Sequence, residues 1–395
     1  MTDIARPDEE VDPVTDIEER ELMSSDLPFE LRMCPHLRQA RQGAAVRRMR
    51  TWNGDDAWLV SGNTEIKELL TDERLGRSHP TPDARAQYAG IRPYDQVMSD
   101  DHDTADAIHA GVRAVLKPLF TSRRMLDLRP ALTALVDRQA DALVAHGSPA
   151  DLCDDFSGRL IRLVFTELLG VPAGDQDRCV ELMERAAEGD LGGLTTFLTE
   201  LAAVKAAAPD DTMMARMAAD GLTSDQIVQL STLLHFVGYD ATVKQINYAL
   251  LLLTEEPAQR ERLVANPDQL PAVIEEMLRL SGGVALPRYA REDIAIGGHT
   301  IRAGDLVLLD YTQANYDEDA FSAPTVFDAE RSPNRHLTFG YGSWTCLGAP
   351  LARQVMHLVF DTLLTRIPTL RPAAPPDTTI GPLTGGLSPS LTVTW

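Results

Sequence analysis

Apolar residues recur at helical spacing along most of this chain and alternate at strand spacing only in short stretches. The helical pattern dominates from about residue 106 to residue 281, where proline and glycine separate one periodic segment from the next. The predicted helices lie near 107–117, 127–146, 151–169, 173–188, 191–207, 224–255 and 268–280. The pattern therefore predicts a mostly helical fold with small β-sheets.

The segment near 224–255 is unusually long and is apolar on most of its faces. A helix of that kind is buried nearly all round, so we expect it to pass through the centre of a large core. Short strands are predicted in 46–60, which contains an Asn-Gly turn, in 294–309 and in 391–395. The polar residues from about 75 to 105 are predicted to form a long loop.

The balance of charge narrows the class of partner. The chain has 395 residues, with 37 Lys and Arg against 59 Asp and Glu, and its formal net charge is −22. This charge argues against nucleic acid, because phosphate backbones attract basic surfaces. The longest apolar run, near Tyr248–Leu253, is far too short to span a membrane. The first residues lack the basic and apolar regions of a signal peptide, so we predict a cytoplasmic protein.

Residues 1–26 are acidic and contain proline, and we predict that they form a disordered tail. No linker interrupts the remainder, which predicts a single domain over 27–395. The four cysteines show neither a CxxC motif nor a disulfide framework, which is typical of a reducing cytoplasm.

One cysteine lies in a setting that favours chemistry. Cys346 falls within the glycine-rich segment Phe339–Gly348, and a helix is predicted to begin directly behind it. At a helix N-terminus, unpaired N–H groups and the helix dipole stabilise a thiolate. Such a thiolate can be the axial ligand of a haem iron. The alternative is a buried, inert cysteine in a turn, which is the usual state of a lone cysteine.

This segment resembles the haem-binding loop of the cytochrome P450 superfamily, and further matches run from about residue 28 to the C-terminus. The resemblance implies the fold of that family, with haem b between the long central helix and the helix behind the cysteine loop, and a catalytic domain over 27–395. It makes Cys346 the metal ligand. The loop residues that it implies for cofactor binding are Phe339, Gly340, Gly342, Trp344, Cys346 and Gly348.

Two loop residues depart from the usual pattern of soluble bacterial members. Trp344 stands where a histidine or arginine often meets a haem propionate. Thr345 stands where an apolar or aromatic residue usually precedes the cysteine. Neither departure removes the ligand.

The long helix carries a second match to the family. There, a glycine is followed after two positions by a threonine, with an acid just before the threonine. Ala241 stands at the threonine position, so the usual alcohol is missing, and Thr242 is turned about 100° further around the helix. The catalytic positions implied are Gly238, Asp240, Ala241 and Thr242. For an isolated glycine in mid-helix, close helix packing is the alternative.

The resemblance also assigns residues at the edges of the cofactor. The haem propionates would be bound by His109 and Arg113, one turn apart on a predicted helix, and by Arg288. The planar fork of an arginine side chain matches a carboxylate. For His109 and Arg113 the alternative is the polar face of an amphipathic helix. The substrate-binding residues implied are Leu233, Phe236, Val237 and Val284.

Glu276 and Arg279 place opposite charges three residues apart on one helix face. Such pairs are usually solvated surface bridges that contribute less than about 1 kcal/mol. In the family, an arginine further along the chain joins this pair as a third member. The resemblance therefore implies that Glu276, Arg279 and Arg331 form a buried structural network that holds the haem loop.

The function implied is a haem-thiolate monooxygenase or oxidase of the type that tailors natural products in actinobacteria. Dioxygen would be a co-substrate, and a separate ferredoxin with its ferredoxin reductase would supply electrons, because the chain has no flavin or iron–sulfur motif. A basic docking surface for that partner is predicted at Lys117, Arg123, Arg124 and Arg353. We expect a monomer that acts on a small molecule or peptide and binds neither nucleic acid nor membrane.

Three functions are compatible with these residues. The narrow hypothesis is oxidative cross-linking of aromatic side chains in a small peptide, which needs no oxygen insertion. Its alternative is regio-selective hydroxylation of a natural product. The third function is that of a non-catalytic haem protein that binds or senses a ligand. The missing alcohol at Ala241 and the unusual Trp344 favour this third function, whereas Asp240 and the basic surface favour catalysis.

Overall fold

In a computed structural model, the described residues are 44–51, 54–87, 102–281, 285–373 and 391–395. They form two compact units. The described residues of the first unit lie in 44–110 and 275–346, and those of the second lie in 111–274, 347–373 and 391–395.

The chain is mostly helical with small sheets, as predicted. In chain order the helices are α1 Asn63–Thr71, α2 Ala105–Leu116, α3 Ser122–His146, α4 Gly158–Leu169, α5 Gln176–Ala187, α6 Gly192–Ala207, α7 Met213–Ala219, α8 Ser224–Glu255, α9 Pro257–Ala265, α10 Leu270–Leu280, α11 Tyr311–Ala314 and α12 Ala349–Arg366. The strands are β1 Val46–Arg50, β2 Asp56–Val60, β3 Leu75–Gly76, β4 Ala150–Asp151, β5 Ala285–Ala290, β6 Ile294–Ile296, β7 His299–Ile301, β8 Leu306–Asp310, β9 Arg371–Pro372 and β10 Thr392–Thr394.

The first unit is built on a five-stranded sheet with the order β1-β2-β8-β5-β3. The two strands predicted in 46–60 are β1 and β2, which pair antiparallel. β2 also pairs with β8, and these two strands run parallel. β5 runs antiparallel to β8 with Arg288 opposite Val307. Directly opposed residues share a face of the sheet, so Arg288 lies on the face whose core includes Val307 and Leu309.

The second unit contains the long helix α8. It begins with a capping box, in which the Thr223 hydroxyl accepts from the Gln226 N–H and the Gln226 side chain accepts from the Thr223 N–H. α8 packs against α4 and α6, and α12 packs against α3. A small sheet with the order β4-β10-β9 completes this unit. The long helix therefore packs against other helices of its own unit.

The seven predicted helices are all present, and the predicted helix at Ala349 is α12. The helix predicted from residue 151 begins only at Gly158, because β4 and a π-helical turn at Cys153–Ser157 precede it. Four helices of the described chain were not predicted: α1, α7, α9 and α11. β5 was not predicted either, since its Pro287 lacks the N–H that a ladder uses.

The long loop predicted near 75–105 is broken by β3 at its start and by the beginning of α2 at its end. The rest of that loop between 88 and 101 lies outside the described residues, as does the predicted tail 1–26. Within the described part of the chain, no helix combines the length and the apolar composition that crossing a membrane requires.

Candidate functional site

The segment before α12 forms a tight loop that presents Cys346. The Cys346 N–H donates to the Phe339 carbonyl at 2.7 Å, which closes the loop. Gly340 and Gly342 have φ of +70° and +59°, values that other residues rarely adopt. A Cβ on Gly340 would also lie 2.8 Å from the Trp344 carbonyl oxygen. The loop backbone therefore requires both glycines, and it leaves the Cys346 side chain exposed.

Exposure separates Cys346 from the other described cysteines. Cys153 and Cys179 are buried, and burial is the main cause that raises the pKa of each thiol to about 12. Because the thiolate is the form that binds metal, these two cysteines have the character of inert core residues. The alternative of a buried, inert cysteine thus applies to Cys153 and Cys179 and does not apply to Cys346.

The helix behind the cysteine begins where the sequence predicted it. Gly348 is the N-cap residue of α12, with an ordinary φ of −75°, and Pro350 lies in the first turn. The Gly348 carbonyl accepts the Ala352 N–H at 2.9 Å, which starts the hydrogen-bond ladder of the helix. The backbone conformation alone does not require glycine at this position.

Trp344 contacts two of the residues predicted to bind propionates. Its indole ring stacks on the His109 imidazole with centroids 4.2 Å apart and an angle of 21° between the planes. The Arg288 guanidinium lies over the same indole, with its Cζ 4.5 Å from the ring centroid. Arg113 follows one turn further along α2 and is half-buried. The first unit thus brings His109, Arg288 and Trp344 together, although they are far apart in the sequence.

Arg288 is a buried cation that forms no ion pair with an acidic residue in the described part of the chain. Its side chain is 5% exposed, and its Nη1 donates to the neighbouring Pro287 carbonyl at 2.8 Å. Its Nε has no hydrogen-bond partner among the described residues. Burial lowers the pKa of Arg288 to about 10, Tyr311 acts in the opposite direction, and Arg77 lowers this pKa further. A buried guanidinium with an unused N–H fits a carboxylate ligand, which is what a haem propionate would supply.

Glu276, Arg279 and Arg331 form a buried network in the first unit. Glu276 and Arg279 are both 0% exposed, and two hydrogen bonds of 2.7 and 2.8 Å join their side chains. The Arg331 Nε lies 3.1 Å from both carboxylate oxygens of Glu276. Asn334 adds a further donor at 3.0 Å. The pair is therefore not a solvated surface bridge, and its charges are satisfied by hydrogen bonds from several directions.

Sequence reasoning missed the residues that connect this network to the cysteine loop. The Arg279 Nη1 donates to the Asn315 carbonyl at 2.8 Å. The Asn315 side chain accepts the Leu337 N–H at 2.6 Å and donates to the Thr338 hydroxyl at 2.9 Å. Thr338 directly precedes Phe339, where the loop begins. The signal in the sequence was weak, because Asn315 is a single polar residue without a recurring pattern around it.

The middle of α8 exposes one narrow face. Phe236 and Val237 are 37% and 41% exposed, and Asp240 and Ala241 are also exposed. Residues spaced by four positions lie on one side of a helix, so these four form a continuous stripe. Leu233, one turn earlier, is half-buried. Val284, the fourth predicted substrate-binding residue, lies outside the described residues.

Gly238 and Thr242 do not share that stripe. A Cβ on Gly238 would lie 2.5 Å from the Phe165 ring of α4, so close helix packing alone accounts for this glycine. The Thr242 hydroxyl donates to the Gly238 carbonyl at 2.7 Å and is thereby engaged by its own helix. Asp240 forms an ion pair with Lys244 on the next turn at 2.8 Å. The acid and the alanine, rather than the threonine, therefore occupy the exposed face.

The predicted docking surface is less basic than the sequence indicated. Lys117 and Arg123 are exposed, and Arg353 is half-buried. The Arg124 side chain is only 11% exposed, donates to the Asp211 carbonyl and lies 3.8 Å from the Asp211 carboxylate. Because its charge is paired and largely covered, Arg124 does not add to an exposed basic patch.

Comparison with known proteins shows the family. A family model described as Cytochrome P450 matches residues 205–389. Pentalenolactone synthase of Streptomyces exfoliatus is 36% identical over 368 residues, which cover 89% of this chain and 92% of that protein. The chain belongs to the cytochrome P450 family. Mycinamicin IV hydroxylase/epoxidase of Micromonospora griseorubida is 33% identical over 84% of this chain and 87% of its own length.

The structure agrees with this assignment. The substrate-free cytochrome P450 PimD, a polyene macrolide antibiotic pimaricin epoxidase, superposes with a TM-score of 0.83 at 38% identity, over 94% of this chain and 98% of its own. The predicted family and the predicted cytochrome P450 fold are thereby confirmed. The chain is an oxidoreductase of a family whose cofactor is haem held by a thiolate.

Proposed function

We propose that this cytochrome P450 binds haem through Cys346 and hydroxylates a natural product regio-selectively. The observation that carries the proposal is the exposed thiol of Cys346 in a loop whose glycines have left-handed backbone. Two proteins similar to this chain are named a hydroxylase/epoxidase and an epoxidase, which supports oxygen insertion as the reaction. Neither of those names describes peptide cross-linking. We therefore propose hydroxylation instead of the cross-linking that was our narrow hypothesis from the sequence.

The residues of the first unit fit the cofactor at two points. Cys346 would hold the iron, and the buried Arg288, whose Nε has no acceptor among the described residues, would bind a propionate together with His109. Arg113 belongs to the second unit, so its role as a propionate donor rests on the resemblance alone. When bound, the haem would supply the activation of dioxygen, with the thiolate favouring O–O cleavage. The Glu276 network would fix the backbone at Leu337 and Thr338, and with it the start of the cysteine loop.

Oxygen insertion needs protons, and α8 offers one acid for that role. Asp240 lies on the exposed stripe beside Ala241, and its Oδ2 is held by the Lys244 ammonium at 2.8 Å. To pass a proton, this carboxylate oxygen has to exchange the Lys244 contact for a water or a substrate hydroxyl. The small Ala241 side chain leaves room for that group. We propose that the substrate or an ordered water completes the relay that a threonine alcohol would otherwise provide.

Electrons would come from a ferredoxin and its reductase, as the absence of a flavin or iron–sulfur motif indicates. The exposed Lys117 and Arg123 are the cations that we assign to that docking surface. We propose that the protein works as a monomer in the cytoplasm and acts in secondary metabolism.

A haem protein that binds or senses a ligand without turnover is the second candidate, and it is favoured by the lack of a hydroxyl at Ala241. Turnover with a generic ferredoxin and reductase distinguishes the two candidates. A catalyst consumes reduced nicotinamide faster when a substrate shifts the Soret band, whereas a sensor shows the spectral shift without that acceleration.

The ferrous carbon monoxide spectrum tests haem ligation. The wild-type protein should show the red-shifted Soret band of a thiolate-ligated haem, and Cys346→Ala should lose it. Cys153→Ala and Cys179→Ala are matched controls that remove a buried thiol and should keep the band. An unchanged band in Cys346→Ala would overturn the central proposal.

A further inference from the structure

Next to Arg288, the first unit contains a second buried donor, for which the described residues offer no hydrogen-bond acceptor. Tyr311 is 2% exposed, and its hydroxyl has no hydrogen-bond partner among the described residues. Leaving a buried hydroxyl without a partner is unfavourable, and a bound ligand with an acceptor atom is one way in which such a group is satisfied.

Tyr311 and Arg288 belong to the same part of the molecule. Tyr311 is in the apolar cluster that includes Val307 and Leu309, and Trp344 packs against that cluster. Arg288 lies opposite Val307 in the sheet, and its guanidinium covers the Trp344 ring. Burial raises the pKa of the Tyr311 phenol, and the nearby Arg288 charge opposes that rise. One anion placed at these residues could therefore accept from both the guanidinium and the phenol.

Among the described residues of this unit, the two other buried tyrosines have hydroxyls that are already hydrogen-bonded. The Tyr289 hydroxyl donates to the Ala86 carbonyl at 2.9 Å, and the Tyr316 hydroxyl donates to the Leu280 carbonyl at 2.6 Å. Each of these tyrosines is satisfied by the backbone.

We infer that the Tyr311 hydroxyl is a positioning donor to the haem propionate that Arg288 binds. This inference rests on the proposed function. It also accounts for the departure at Trp344, because an indole ring that stacks on His109 and Arg288 holds these side chains, while Tyr311 adds a donor to the carboxylate. A hydrogen bond to a charged group contributes about 1.5–3 kcal/mol, and this corresponds to a change of roughly 10- to 100-fold in affinity.

Tyr311→Phe tests this role, because it removes the hydroxyl and keeps the ring. Haem transfer from the ferric protein to excess apomyoglobin should be about 10- to 100-fold faster than in the wild type. Urea unfolding of the haem-free protein should show no loss of stability, since the hydroxyl makes no hydrogen bond to the described residues. A merely structural tyrosine would give the reverse pattern.

Tyr289→Phe is the matched control, because it removes a buried hydroxyl that the backbone already satisfies. It should destabilise the haem-free protein and leave the rate of haem transfer unchanged. The inference is overturned if Tyr311→Phe releases haem at the wild-type rate, or if it destabilises the haem-free protein as Tyr289→Phe does. If the wild-type protein takes up no haem, the proposed function fails and the inference fails with it. An unchanged Tyr311→Phe in a haem-loaded protein removes the inference alone.

Discussion

The indole of Trp344 stacks on the imidazole of His109, with ring centroids 4.2 Å apart and planes inclined by 21°. His109 lies on α2 and Trp344 in the cysteine loop, so this contact ties the loop to a predicted cofactor-binding residue. Arg288 adds a cation over the same indole at 4.5 Å. A residue that departs from the family pattern thus becomes the centre of a three-residue cluster, in which flat side chains restrict one another's rotation.

Trp344→Ala should loosen this cluster. The lost stack and cation–π contact are together worth about 1–2 kcal/mol, so we expect haem release to accelerate by roughly 5- to 30-fold. The measurement is haem transfer to apomyoglobin, with Tyr341→Ala as the control, because Tyr341 is an exposed aromatic residue of the same loop. Equal rates in Trp344→Ala and in the wild type would contradict a role in holding His109 and Arg288.

Arg279→Ala should be among the most destabilising substitutions in the first unit. It leaves Glu276 buried with one cation fewer, which costs about 3–5 kcal/mol in the free energy of unfolding. It also removes the donor to the Asn315 carbonyl, and Asn315 holds the backbone in front of the cysteine loop. We therefore expect little haem-loaded protein. Urea unfolding and the haem-to-protein absorbance ratio measure the two effects.

Arg302→Ala is the control for that change, because Arg302 forms an exposed ion pair with Asp293 at 2.6 Å in the same unit. It should express and bind haem as the wild type does. If Arg279→Ala behaved like Arg302→Ala, the network would have no structural role.

The hydrophobic pattern predicted α8 and the helices around it because each has a face or a whole surface that must be covered. α7 was missed because seven residues from Met213 to Ala219 are too short to show a period. The Trp344 cluster could not be predicted in the same way. Its members come from a helix, a strand and a loop. They come within stacking distance only after the chain has folded and the register of the sheet is set.

The sequence also did not predict which single side chains are exposed and which are buried. The spacing of Glu276 and Arg279 is the same for a surface bridge and for a buried pair, and only the surrounding donors distinguish the two. Likewise, charge alone placed Arg124 in a docking surface, while its neighbour Asp211 neutralises it.

His235 gives the second unit a specific dependence on pH. Burial lowers its pKa to about 4, and the Arg162 charge acts in the same direction. Because the unfolded chain takes up this proton near the usual value of about 6.5, the unfolded state binds more protons between that pH and pH 4. The stability that the neutral His235 contributes is therefore lost as the pH falls through this window, on the order of 3 kcal/mol in total.

His235→Phe should flatten the acid side of the stability curve. Phenylalanine suits the site, since His235 packs edge-on against Phe165 with centroids 5.5 Å apart. Urea unfolding at a series of pH values between 7 and 4 measures the slope. His146→Gln, which removes an exposed histidine of the same unit, is the comparison variant. A variant curve parallel to the wild-type curve would show that His235 is not the group responsible.

Asp240→Asn should slow turnover much more than Thr242→Val. Asparagine keeps the size and removes the acid, so a proton relay through Asp240 predicts a loss of roughly 10²- to 10⁴-fold in the rate. Thr242 already donates its hydroxyl to the Gly238 carbonyl at 2.7 Å and lies away from the exposed stripe, so its replacement should have a small effect. Reduced nicotinamide consumed and peroxide released, with a generic ferredoxin and reductase, report both the rate and the coupling.

Lys244→Gln completes this test, because it removes the cation that holds Asp240 and leaves the acid in place. If the Lys244 contact has to open before a proton passes, this variant should retain turnover that Asp240→Asn loses. The opposite result, with Thr242→Val inactive and Asp240→Asn unaffected, would make Thr242 the working alcohol. That outcome would require a local bulge in α8 that turns Thr242 toward the exposed face and breaks its bond to Gly238.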